Sequence, residues 1–167
     1  MSVKIIVAVG NWTEKGYPIG VQGKLPWCCR GDMEWFKFQT LHNVVIMGRK
    51  TYESIGHPLV KRINFVVSKT WELPPDEGVF CLNSLERCIK VAELYNKDIF
   101  IIGGSQLYNY ALEHNLVDEV LINALDVNVN DADTFFPKLD SNIWKIKQIN
   151  YCPEMCSKII KYVKQNG

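Results

Sequence analysis

The chain has 167 residues, 47% of them hydrophobic and 22% charged, with a net charge of +1. That length suits a single domain over 1–167 that buries roughly 70% of its unfolded surface. The near-neutral balance gives no electrostatic reason to expect nucleic acid or an anionic membrane as partner, and no apolar run approaches the ~18–20 residues of a membrane span.

In chain order, "KIIVAV" (4–9) reads as a buried strand, and the apolar core it carries is too short for a signal peptide. The segment 10–25, "GNWTEKGYPIGVQGKL", reads as one long glycine-punctuated loop with a turn at "YPIG" (17–20), suited to a mobile cover. A helix is predicted over 32–42, a strand over 43–48, a short helix over 51–56, a turn at "GHPL" (56–59) and a strand over 63–68. After the turn signal "ELPPDEG" (72–78), the stretch "SLERCIKVAELY" (84–95) has apolar residues at 85, 88, 89, 91, 92 and 95, a helical period, with Ser84 placed as N-cap. Strands over 98–104 and 119–126 flank a helix over 105–114, and the tail 157–165 reads as a last strand. Strands separated by helices imply a mainly parallel sheet, and continuous Val/Ile runs imply that both its faces are covered.

The six cysteines fall as Cys28 beside Cys29, Cys81 with Cys88, and Cys152 with Cys156. None makes a C-x-x-C pair and no histidine is near, which argues against zinc and for scattered reduced thiols in a cytoplasmic protein.

Two strand-to-helix junctions carry candidate chemistry. In "VVIMGRKTYESI" a strand ends at Gly48, and Arg49, Lys50 and Thr51 open a helix whose free N–H groups attract anions. The end of this motif looks like that of a P-loop, but the glycine such a loop needs is replaced by Asn43 and the intervening residues form a strand, so an ATPase is rejected. The plain alternative makes Thr51 an N-cap and leaves Arg49 and Lys50 solvated. In "DIFIIGGSQLYNYAL" Gly103 and Gly104 stand between a buried strand and a helix, where glycine allows close backbone approach or merely a tight packing turn. Together the two junctions suggest a diphosphate held between helix N-termini. Ser68 and Lys69 lie beside the first junction if the sheet is parallel, and Arg62 has the chemistry to hold a carboxylate by a bidentate pair.

Asp32 starts a helix in apolar company. An acid in a first turn stabilises the helix by ~0.3–1 kcal/mol and often does nothing else. With Trp27 upstream and Met33 and Phe36 on the same helix, however, the carboxylate should be partly desolvated and its pKa raised. Such a group suits a flat heterocycle that offers adjacent N–H donors. No second acid supports a glycosidase pair, and the three histidines (42, 57, 114) support no Ser-His-Asp arrangement.

The blocks "IGVQGKLPW", "DMEWFK", "VVIMGRKTYESIGHPLVKRINFVVS", "IIGGSQLY" and "DADTFFP" occur in one order between residues 3 and 137 and resemble dihydrofolate reductase. The resemblance implies an α/β fold with a mainly parallel twisted sheet of about eight strands, an antiparallel C-terminal strand and four flanking helices. It implies hydride transfer from NADPH to dihydrofolate by a cytoplasmic monomer, with antifolate inhibitors as further ligands and no metal. Asp32 would be the active-site acid on the pterin, Trp27 would order a nearby water, and Leu25 and Asn123 would complete the catalytic group. Ile6, Val7, Met33, Phe36, Ile55, Leu59, Ile102 and Tyr108 would line the folate pocket, and Arg62 would hold the glutamate tail. Ala8, Ile19 and Leu25 would border the nicotinamide. Gly48, Arg49, Lys50, Thr51, Val67, Ser68 and Lys69 would take the phosphate and adenosine end, joined by Ser105, Gln106, Leu107 and Tyr108. Gly103 and Gly104 match the paired glycines that this family joins by a cis bond.

The sequence departs from the family at three places. Asn123 stands where Thr is usual, Gln106 stands where a base is frequent, and residues 10–18 form a longer loop than in short bacterial members. A related reductase acting on a riboflavin precursor and a non-catalytic folate- or nucleotide-binding subunit are the rival readings. Asp32 with Trp27, and Arg62, argue for folate. Retention of both glycine junctions as well argues against a non-catalytic subunit.

Overall fold

The computed structural model describes residues 1–27, 29–71 and 76–165, so Cys28 and most of the predicted turn over 72–78 lie outside the described residues. Among the described residues ten strands are formed: β1 (Val3–Val9), β2 (Tyr17–Gly20), β3 (Val44–Gly48), β4 (Ile63–Val67), β5 (Val79–Leu82), β6 (Ile99–Ile101), β7 (Glu119–Leu125), β8 (Thr134–Phe136), β9 (Trp144–Cys152) and β10 (Ser157–Lys164). Four helices accompany them: α1 (Arg30–Thr40), α2 (Arg49–Ile55), α3 (Leu85–Ala92) and α4 (Ser105–Glu113).

Eight strands make one sheet in the order β5-β4-β3-β6-β1-β7-β10-β9, with β10 antiparallel to both of its neighbours and every other pairing parallel. This is the expected architecture, and its two faces divide the core by the strand period of two. Ile5, Val7 and Val9 point to the face covered by α3 and α4, together with Phe65, Ile101, Cys88 and Ala111. Ile6 points to the face covered by α1 and α2, with Val45, Met47, Val66 and Phe100. The chain runs outward from β3 to β5 and returns through β6 between β3 and β1. That reversal lies where open α/β sheets bind ligands, outside the carboxyl ends of the strands.

Local signals explain two of the helix ends. The Ser84 hydroxyl accepts the Arg87 N–H at 3.2 Å, a cap typically worth ~1 kcal/mol. Gly56 ends α2 in the left-handed conformation, φ 84°, and donates its N–H to the Tyr52 carbonyl.

Several predicted boundaries move. α1 begins at Arg30 and not at 32, so Asp32 is its third residue, and α2 begins at Arg49 with Gly48 as N-cap, so Thr51 is not the cap. The segment 10–25 is not one open loop: Tyr17–Gly20 pairs antiparallel with β8, between a Thr13–Gly16 turn and a Val21–Lys24 turn. Pro18 and two glycines hide the strand period there, and the pairing is set by a partner over a hundred positions away. β5, β8 and β9 carry no strong period either. β9 is an edge strand with mostly exposed residues, and its two Ile among Lys, Gln and Asn read as polar surface.

Candidate active site

Asp32 is only 6% exposed, and its Oδ1 accepts a 3.0 Å hydrogen bond from Asn123 Nδ2 on β7. Burial raises the Asp32 pKa, and the Asn123 hydrogen bond and the nearby Trp27 indole oppose it more weakly. The acid therefore does more than start a helix. It is carried over the sheet by α1, whose Trp35 and Phe36 pack on the Ile6 face.

Two polar atoms beside it are buried without a partner among the described residues: Nε1 of Trp27 and Oδ1 of Asn123. Trp27 still leans on the carboxylate electrostatically, though its indole hydrogen is outside hydrogen-bond geometry. An unmet buried donor or acceptor costs ~1–3 kcal/mol, so a donor and an acceptor left idle beside one acid mark a place for a ligand.

Ile6, Phe36, Ile55, Leu59 and Ile102 gather in the apolar cluster of that same face. Val7 does not join them. It faces the opposite cluster, as do Ile19, Val67, Leu107 and Tyr108, so these residues offer a ligand backbone or hydroxyl rather than an apolar side chain. Met33 and Leu25 are 63% and 56% exposed and form no closed wall. Ala8 is half-buried and is paired in register with Asn123.

The two glycine junctions lie side by side because β3 and β6 are neighbours. Gly48 N–H donates to the Gly103 carbonyl at 2.8 Å, and the Gly103–Gly104 peptide is cis. A Cβ on Gly103 would lie 3.4 Å from Thr51 Oγ1 and 3.5 Å from the Tyr108 hydroxyl. That hydroxyl donates to the Ile6 carbonyl at 2.9 Å. Its pKa is raised, first by burial and then by the charge of Asp32. Tyr108 thus connects the glycine junctions to the acid's pocket.

The cations flank these features. Arg49 is held by Glu53 at 2.9 Å and by the Thr70 hydroxyl at 2.7 Å, and lies over the Trp71 ring at 5.2 Å. Ser68 is buried, accepts the N–H groups of Thr70 and Trp71, and comes directly after the end of β4, the parallel neighbour of β3. Lys50, Lys69 and Gln106 are exposed, and Ser105 opens α4 half-buried. Arg62 donates to Thr40 Oγ1 at 3.1 Å and to the Val60 carbonyl at 3.0 Å, with no carboxylate in reach among the described residues; burial lowers its pKa.

Sequence reasoning missed the residues that hold these in place. Asn64 is buried and bonds Leu59 and Arg62 backbone on both sides, fixing the loop that carries Arg62. Thr40 and Trp71 clamp the two arginines. None of them shows a local pattern; only the strand pairing brings them in. Among the described residues no group of His, Cys, Asp and Glu is arranged to hold a metal, and no helix is long and apolar enough to cross a membrane.

A model of the dihydrofolate reductase family matches residues 2–163. The chain is 36% identical to a dihydrofolate reductase of Haemophilus influenzae over 90% of its length and 88% of that protein. It is 38% identical to one of Schistosoma mansoni, covering 90% of this chain and 84% of that protein. A solved structure of Enterococcus faecalis dihydrofolate reductase, complexed with NADP(H) and RAB-propyl, superposes with a TM-score of 0.83 at 27% identity over 99% of this chain and 97% of the other.

Proposed function

The chain belongs to the dihydrofolate reductase family and is an NADPH-dependent oxidoreductase that reduces 7,8-dihydrofolate to tetrahydrofolate in one-carbon and thymidylate metabolism; from that premise we propose how its own residues carry the reaction. The observation that supports the assignment is the buried Asp32 with an idle donor and acceptor at its side, facing the apolar cluster of Ile6, Phe36, Ile55, Leu59 and Ile102.

Asp32 accepts hydrogen bonds from the pterin amino group and ring nitrogen, and Asn123 holds the carboxylate in place through Nδ2 while its Oδ1 offers a second acceptor. NADPH supplies the hydride when bound. The chain's task is to align two rings and exclude competing water. The ring nitrogen beside the carbon that receives hydride also gains a proton. Solvent delivers it next to Trp27 while Asp32 favours the positive charge that develops on the ring. The cradle at Gly48, Thr51, Gly103 and Gly104 fits a cofactor diphosphate, since a Cβ on either glycine of the second junction would already reach contact with Thr51 Oγ1, at 3.4 and 3.5 Å, and fill the space that the bare backbone leaves for a ligand. Arg49 takes the ribose phosphate, with Lys50, Ser68 and Lys69 along the adenosine end, and Arg62 takes the glutamate carboxylate. The span 1–167 acts as one domain, a cytoplasmic monomer without nucleic-acid or membrane partners.

The test is oxidation of NADPH in the presence of dihydrofolate; no turnover would sink the assignment. Arg49→Ala is expected to raise KM for NADPH by about tenfold or more, on the scale of a lost charge-assisted contact, and to leave KM for NADH nearly unchanged. Equal losses would show that Arg49 does not read the phosphate. Arg62→Ala should raise KM for dihydrofolate by about tenfold with kcat nearly constant, because the glutamate end is remote from the reacting carbon. A fall in kcat alone would refute that placement.

A further inference from the structure

The turn between β9 and β10, Pro153–Met155, comes down on the first turn of α1. A Cβ placed on Gly31 would lie 2.5 Å from Met155 Cγ and 2.7 Å from its Sδ, so the methionine side chain lies against the backbone of the residue just before Asp32. Met155 Sδ is also 3.9 Å from Asn123 Nδ2, the nitrogen that donates to Asp32. Met155 therefore touches both supports of the acid: the helix backbone that carries it and the amide that bonds it.

The turn that presents Met155 is anchored. Cys156 sits in the left-handed region at φ 49° and donates its N–H to the Pro153 carbonyl at 3.1 Å. The Cys156 carbonyl accepts the Asp126 N–H at 2.9 Å, just past the end of β7, the strand that holds Asn123. The turn that bears Met155 is thus tied to the strand that bears the amide.

We propose that Met155 is a positioning residue for the reaction, setting both the seat of Asp32 and the orientation of the Asn123 amide. This rests on the role given above to Asp32. A thioether is a weak acceptor and has no donor. With the carboxylate on one side and the sulfur on the other, the Asn123 nitrogen is the end that both accept. A flipped amide would set its oxygen against two electron-rich partners. The oxygen is thereby kept free as an acceptor for a ligand amino hydrogen, which a threonine hydroxyl donating to the acid would supply through its lone pairs instead. Gly31 follows from the same contact, since any side chain there would take the space of the methionine stem.

The experiment measures steady-state kinetics and urea unfolding for Met155→Ala, Gly31→Ala and the combination. Each single variant is expected to lose about tenfold in kcat/KM for dihydrofolate, the scale of a small misplacement of a reacting group, with KM for NADPH within about twofold of wild type. In the combination the new Cβ takes the vacated space, so at least threefold of the Gly31→Ala loss should return, a coupling of the size seen between touching residues. Kinetic losses that simply multiply, or a KM for NADPH that moves as far as that for dihydrofolate, would overturn the clamp. Coupling seen in unfolding alone would also overturn it, because the contact would then be merely structural. Full turnover by Asp32→Asn would instead refute the role of the acid and leave the contact between Met155 and Gly31 untouched.

Discussion

Asp32→Asn should lose on the order of a hundredfold or more in hydride transfer at neutral pH while gaining stability. The loss follows from removing the carboxylate that holds the pterin, in the range typical for a group that moves or steers a proton in the transition state. The gain follows from linkage. Burial raises the Asp32 pKa in the folded state, so the folded chain holds this proton to a higher pH than the unfolded chain does. Whatever stability the protonated acid contributes is complete below its unfolded pKa and is lost as pH rises through the folded pKa. At neutral pH, well above the ordinary aspartate value, burial of this acid therefore costs the folded enzyme free energy. Asparagine removes that cost and can still accept from Asn123. A gain of ~0.5–2 kcal/mol is expected at pH ~7–8, the usual size of such trade-offs at active sites, and it should shrink as pH falls through the raised folded pKa and be gone below the ordinary aspartate range. Urea unfolding across pH measures it. An Asn variant less stable than wild type at neutral pH would show that the ionised acid is well solvated by its neighbours.

The second large effect is expected at Gly103. Its φ of 130° lies in a region that residues with a Cβ rarely enter. Its surroundings leave ordinary contact distances to Thr51 and Tyr108, so the damage from Gly103→Ala comes from the backbone and not from a clash. Such strain costs ~1–3 kcal/mol. Part of it appears in global stability. The rest appears in the cradle, because the Gly103 carbonyl accepts from Gly48 and so ties both junctions together. NADPH affinity should fall by about tenfold or more, with dihydrofolate binding in the absence of cofactor much less affected. Fluorescence titration of each ligand separates the two. Equal losses for both ligands would mean that the whole sheet end has moved.

What could be read from the sequence was whatever has a local cause. The Val/Ile runs of β1, β3 and β4 need no partner to be recognised, the period of 84–95 is helical in isolation, and Ser84 caps where its side chain can reach its own backbone. The glycine junctions were legible because a strand followed at once by Gly and then a helix is a short-range pattern. Asp32 was legible as an acid among aromatics.

β2, β8 and β9 were not, since each owes its state to a distant strand, and Pro18, the glycines and an exposed edge mask any period. The same limit explains Asn64, Thr40, Trp71 and Met155, which matter only because the sheet and its turns bring them to an arginine or to the acid. It also explains Val7, Ile19 and Leu107, whose side chains went to the far face of the sheet although their neighbours face the pocket. Chain order by itself determined which chemistry is available: one buried-type acid, two glycine turns and the cations beside them. Only the tertiary structure decided which of these meet, because alternation along a strand sends adjacent residues to opposite faces and hydrogen bonds between strands set which residues stand side by side.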